Sequence, residues 1–209
     1  ITNDWEGQIH PGHMTAALRR KCLTLGIDVL TNFDVTSIEQ DTNYRISARS
    51  LEIKASKVII CNNAFAKDLV DLETTAGRNQ VLLTSPLDNL SIHGCYHYDR
   101  GYVYFRNVGN RVLIGGGRNI DQATETTDHF GDTKTIRTYL TKILERHVLV
   151  NQEYTIDYEW SGILGFNETK QPIIKEVASG KFVAVGLGGM GVAIGSLVGK
   201  EVADLLLQS

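Results

Sequence analysis

The stretch that most limits how this chain can fold lies near its carboxyl end: Val183-Ala-Val-Gly-Leu-Gly-Gly-Met-Gly-Val-Ala-Ile-Gly195. A strand-like apolar run enters it and a helix-like run leaves it. Between them Gly186, Gly188 and Gly191 spell G-x-G-x-x-G. Glycine is needed where backbone turns sharply and a helix must approach a strand closely, so the run commits the chain to strand, tight turn and helix. The dinucleotide-binding form of this motif sits inside a βαβ unit, with a second strand and an acidic residue about 20 residues further on. Glu201 and Asp204 fall too early, inside the helix predicted to run through Leu207, and no strand follows it before Ser209. The match is formal, and two readings stay open. The turn brings backbone N–H groups and a helix N-terminus to a ligand, or it serves close helix–strand packing alone.

Upstream, hydrophobic spacing predicts the other elements. Pro11 suits a first helical turn. Met14, Ala17, Leu18, Cys22 and Leu25 then recur at helical spacing, with Gly26 in place to end the helix. Residues 27–30 and 35–38 read as strands, and 44–48 with 51–54 as an alternating hairpin. Lys57-Val-Ile-Ile-Cys61 is continuously apolar after its lysine, as in a central strand buried on both faces, and Phe182–Val185 reads the same way. A short helix is predicted over 64–69, and strands over 79–84, 101–106, 111–115 and 154–160. Asp132 is placed to cap a helix carrying Ile136, Leu140, Ile143, Leu144 and Val148 on one face. Many strands with few helices predict an α/β fold of α+β character: a mixed, largely antiparallel sheet with flanking helices. No linker, repeat or low-complexity tract divides residues 1–209.

Composition narrows the function class. A formal net charge of -3 gives no reason to expect nucleic acid or an anionic membrane as partner. No apolar run reaches the roughly 18 residues of a membrane span. The three cysteines, Cys22, Cys61 and Cys95, suit reduced thiols, and with no signal peptide visible a cytoplasmic location is expected.

Four local constellations carry chemistry or imitate it. His10-Pro11-Gly12-His13 suggests a metal, but no further ligand stands at familiar spacing, so a turn-and-cap role is expected and no metal site. Ser161 in Trp160-Ser161-Gly162 lacks the nucleophile elbow of hydrolases. Gly115-Gly116-Gly117-Arg118 strips side chains from a strand end. Something planar could lie there with Arg118 meeting an anion, or the run is a plain bend. Tyr102 and Tyr104 alternate with Val103 and Phe105, which predicts one shared sheet face.

Taken in order, these segments resemble the glycine oxidase, sarcosine oxidase and D-amino acid oxidase family of FAD-dependent oxidoreductases. The segments are Gly7-Gln-Ile-His-Pro11, Leu25-Gly-Ile-Asp-Val29, Lys57-Val-Ile-Ile-Cys-Asn-Asn-Ala64, Arg111-Val-Leu-Ile-Gly-Gly116, Trp160-Ser-Gly162 with Gln171-Pro-Ile-Ile174, and Gly188-Gly-Met-Gly-Val192. Lys175 departs from the pattern, where the family usually has glycine. The resemblance covers nearly all of residues 1–209. It implies one D-amino acid oxidase-like region: a substrate domain plus C-terminal elements of an FAD domain, from a longer flavoprotein whose phosphate-binding fingerprint precedes Ile1.

The resemblance also implies where FAD touches the protein. Val35 meets the adenine, Asn62, Asn63 and Ala64 lie near the cofactor, and Gly188, Gly189, Met190, Gly191 and Val192 line the flavin. There the helix N-terminus faces the negative charge that collects near flavin N1 and O2 on reduction. Tyr102 is implied as a substrate contact, with Arg118 and Arg106 as further candidates. The implied chemistry is hydride transfer from the carbon beside an amine to flavin N5, followed by hydrolysis of the imine. Amino acid-oxidising members often carry arginine shortly after the Trp-x-Gly segment, and this chain has Leu164 there. Either Arg118 or Arg106 takes that role, or the small-molecule substrate is an amine with no carboxylate at that point. The chain by itself is expected to hold FAD weakly or not at all.

Overall fold

The structure is a computed structural model that describes residues 5, 7–49 and 51–209. Its elements begin with helix α1 (Pro11–Thr24), strands β1 (Ser37–Gln40), β2 (Tyr44–Ala48), β3 (Leu51–Ala55) and β4 (Val58–Ile60), and a 3-10 turn (Asn63–Asp68). Strands β5 (Thr75–Thr84), β6 (Cys95–Tyr98), β7 (Val103–Val108) and β8 (Arg111–Gly116) follow, then the short helix α2 (Gln122–Glu125) and helix α3 (Lys134–Ile143), extended by a π-turn (Leu144–Val148). Strands β9 (Ile156–Phe166), β10 (Ile173–Ala178) and β11 (Lys181–Val185) lead to helix α4 (Gly191–Gln208). The fold is α/β with mostly antiparallel pairing, as predicted, but the strands of the described residues form three sheets. They belong to two compact units, Ile1–Gln8 with Ala76–Leu164, and Ile9–Thr75 with Gly165–Ser209.

The first unit is built on the sheet β6-β7-β8-β5-β9. The helix-facing side of β5, β7 and β8 carries Leu82, Val103, Val112 and Ile114, which pack with Ile136, Leu140, Ile143 and Leu144. Each strand alternates, so every second residue turns away from α3. Thr133, rather than the expected Asp132, precedes the first turn of α3, and no side chain caps it. The predicted apolar face is the one buried.

In the second unit β11 lies between β10, antiparallel, and β4, parallel. Its side chains divide by alternation. Val183 and Val185 pack with Tyr44, Val58 and Ile60, and with Ile38 and Ile46 of the β1-β2-β3 meander. Phe182 and Ala184 pack with Val198 and Val202 of α4. Both faces of β11 are therefore covered, which accounts for the unbroken apolar run in the sequence.

Four expectations need correction. Strand β4 is at the edge of its sheet among the described residues, not central. Its faces bury Val58 and Ile60, yet its hydrogen-bonding edge is a separate property that hydrophobicity does not encode. Residues 27–30 form no strand. Ile27 N donates to Cys22 O (3.0 Å) and Gly26 N to Leu23 O (3.1 Å), closing α1 with a Schellman motif in which Gly26 is left-handed, φ 75°. The strand expected over 35–38 begins only at Ser37. Tyr102 lies outside β7 with helical dihedrals (φ -70°, ψ -23°), so its alternation with Tyr104 is broken. The turn just before it holds Arg100 at φ 57°, and Gly117 N donates to Tyr102 O at 2.8 Å.

Candidate functional site

Three features of the second unit build the glycine turn. Gly186, Gly188 and Gly189 all have positive φ (77°, 58° and 88°), which ordinary side chains resist. Asn63, just past β4, has φ 53° and turns its side-chain carbonyl into the turn. Its Oδ1 accepts from Gly186 N at 2.9 Å and Leu187 N at 3.2 Å. Gly165 O accepts from Gly188 N at 2.9 Å. Gly165 itself must be glycine, because a β-carbon there would lie 2.6 Å from Asn63 Oδ1. On the other side, a β-carbon on Gly186 would meet Asn167 Nδ2 at 2.8 Å, and that nitrogen donates to Gln171 O at 2.6 Å.

Beyond these locks the turn is open. Nothing lies within 4 Å of a β-carbon placed on Gly188. Met190 and Val192 are exposed, and among the described residues no side chain caps α4, whose first turn starts at Gly191. An uncapped helix of this length presents unpaired N–H groups and the positive end of its dipole. Of the expected cofactor residues, Asn63 is bonded directly to Gly186 and Leu187 of the turn, with Ala64 buried beside it and Asn62 exposed. Val35 is half-buried in the irregular stretch before β1.

In the first unit, β7 pairs Tyr104 with Gly115 and Arg106 with Leu113. These residues occupy the sheet face turned from α3. A β-carbon on Gly115 would lie 2.5 Å from the Tyr104 hydroxyl, so the ring lies across that glycine. The planar group for which the glycine run makes room is thus the protein's own tyrosine. Burial pushes the Tyr104 hydroxyl up in pKa, against an opposing pull from Arg106. Gly116 and Gly117 are equally occupied: a β-carbon on either would collide with the Tyr102 carbonyl or crowd the Tyr139 ring. Tyr102, 48% exposed, is brought beside the Gly117–Arg118 bend, while Arg106 lies in the middle of β7.

Behind this sheet is a polar cluster that single-sequence reasoning missed. Arg78 on β5 donates to both oxygens of Glu125, Nε to Oε2 and Nη2 to Oε1, each at 3.0 Å. Gln80 Nε2 donates to Glu125 Oε1 at 3.1 Å, Thr133 Oγ1 donates to the same oxygen, and Arg78 Nη1 reaches His129 O at 3.4 Å. The cluster pins the 126–133 segment, where Gly131 N also donates to Ser161 Oγ at 3.0 Å. Ser161 is thereby a structural acceptor. His10 takes the predicted capping role, its Nδ1 accepting from His13 N at 3.2 Å.

Known proteins share this fold. The chain spans about half the length of the relatives it matches. It is 22% identical over 222 residues to the probable oxidoreductase OrdL of Haemophilus influenzae, covering 96% of this chain and 48% of that protein. Among solved structures, glycine oxidase from Geobacillus kaustophilus superposes with a TM-score of 0.76 at 22% identity, over 93% of this chain and 53% of that one. L-proline dehydrogenase from P. horikoshii gives 0.76 at 16% identity, over 95% and 55%. Residues 2–205 match the family model described as DAO, FAD dependent oxidoreductase. With that match spanning almost its whole length, and with a glycine turn leading into an uncapped helix, the chain belongs to the DAO family of FAD-dependent oxidoreductases.

Proposed function

We propose that the full-length protein oxidises a carbon–nitrogen bond of an amine or amino acid, with FAD as its cofactor. The observation that carries this reading is the open, preorganised turn from Gly186 to Val192 at the start of α4. The residues there fit a flavin. Gly188 leaves room for a flat ring, Met190 and Val192 offer apolar contact, and the helix N-terminus favours an electron-rich edge. FAD, when bound, supplies the electron acceptor that amino-acid side chains lack. The protein's part is to hold the ring at this turn, exclude side chains from its plane, and orient the substrate.

Tyr102, Arg106 and Arg118 in the first unit are the proposed substrate contacts. Leu164, half-buried in β9, offers no charge for a carboxylate, and an unpaired buried anion would be costly. This favours an amine over an amino acid. The names of the solved neighbours, a glycine oxidase and an L-proline dehydrogenase, support a substrate with a C–N bond in broader terms.

The test is an anaerobic panel of amines and amino acids with the full-length protein, following loss of flavin absorbance. Bleaching by at least one member is expected, and a flavin left oxidised by all of them would sink the proposal. Arg106→Ala and Arg118→Ala separate the substrate classes. If either abolishes turnover of a simple amino acid while flavin is retained, the amine preference is wrong. Titration of the 209-residue chain with FAD is expected to show no tight stoichiometric complex, because Glu201 and Asp204, the acidic residues that follow G-x-G-x-x-G, lie inside α4 rather than at the end of a second strand. A yellow chain with one flavin bound would overturn that expectation.

A further inference from the structure

We infer that Asn63 is a positioning residue that sets the shape of the glycine turn, rather than a ligand of the cofactor. This rests on the FAD reading above. Its side-chain carbonyl is already engaged: Oδ1 accepts from two successive backbone amides, Gly186 N and Leu187 N. The next amide, Gly188 N, goes to Gly165 O. Three consecutive N–H groups thus go to two acceptors, and the turn is left open at Gly188.

The chemistry at position 63 is narrow. The backbone there is left-handed, φ 53°, which favours asparagine, aspartate or glycine. The side chain must offer one oxygen with two lone pairs at short reach, which excludes glycine. It must fit against Gly165, whose missing β-carbon leaves 2.6 Å to Oδ1. Aspartate satisfies the same geometry, but it sets a negative charge beside the site that has to accept electrons. Asparagine alone combines the backbone angle, the double acceptor and neutrality. The pairing also ties the segment after β4 to the segment that leaves β11.

The experiment compares Asn63→Gly, Asn63→Asp and Gly165→Ala in the full-length holoenzyme by FAD dissociation constant, visible flavin spectrum and reduction potential. Asn63→Gly keeps the backbone angle and removes the acceptor. It is expected to weaken FAD by roughly tenfold, the scale of one unmet backbone donor, and to alter the flavin spectrum. Gly165→Ala, which displaces the Asn63 carbonyl, is expected to do the same. Asn63→Asp is expected to restore tight binding while moving the reduction potential to more negative values. Unchanged affinity and spectrum in the Asn63→Gly protein would overturn the inference. If that variant does not fold, an unchanged potential in Asn63→Asp overturns it instead. Wild-type full-length protein that fails to hold FAD sinks the functional reading itself, and this role with it.

Discussion

Glu125 has no exposed surface, and Arg78 only 8% of its own. Burial pushes the Glu125 carboxyl up in pKa, but hydrogen bonds from Arg78, Thr133 and Gln80 outweigh this and hold it below its ordinary range. A carboxyl whose folded pKa is lowered contributes stability above its unfolded value, and loses it as pH falls through the folded one. Glu125→Gln takes from buried Arg78 its bidentate charged partner, at a cost of about 3–5 kcal/mol. Urea unfolding from neutral pH downward should show that loss at pH 7 and a shallower decline toward acid than in wild type. Parallel pH profiles would show that the cluster adds nothing to acid sensitivity. None of this was legible in the sequence. Arg78 and Glu125 are 47 residues apart, and their meeting depends on how far α2 folds back behind β5. The family resemblance pointed to Asn63 but not to its bonds with the glycine turn, because two bonds across 123 and 124 residues leave no local pattern.

At the scale of elements, the sequence was informative wherever burial follows a period. The α3 face and the two-sided burial of β11 could be read directly, since alternation and helical spacing are consequences of which face meets a core. Strand β10, the placement of β4 at a sheet edge and the early end of the strand signal after Gly26 could not, because hydrogen-bond partners and caps decide them. The β7–β8 hairpin shows both sides. Its two strands were predicted, whereas the seating of Tyr104 on Gly115 depends on register. That contact makes a sharp prediction. Gly115→Ala should destabilise the fold by about 1–3 kcal/mol through overpacking. Combining it with Tyr104→Ala should cost less than the sum of the two single changes, since the ring is what the methyl strikes. Additive losses in thermal unfolding would mean that the ring and the glycine are not in contact.

For the whole molecule, the order of the units along the chain has a consequence for synthesis. The first unit's sheet and α3 core come from one stretch, Ala76–Leu164, whereas the second unit is split into Ile9–Thr75 and Gly165–Ser209. Strand β4 emerges early, but its parallel partner β11 starts only at Lys181, and α4 follows later still. Loop-closure entropy sets against such distant pairings until both partners exist. A ribosome releasing this chain would therefore complete the inserted unit first and leave the early half of the other waiting. Pulse proteolysis of stalled nascent chains should find Ile136 and Leu140 protected once Leu164 has cleared the exit tunnel, and Val58 and Ile60 protected only after α4 has emerged. Simultaneous protection would mean that the chain folds in one step after release. In the expected order, Asn63 is made long before Gly186 and Leu187, whose amides it accepts from, so the glycine turn can close only once the chain beyond β11 has emerged.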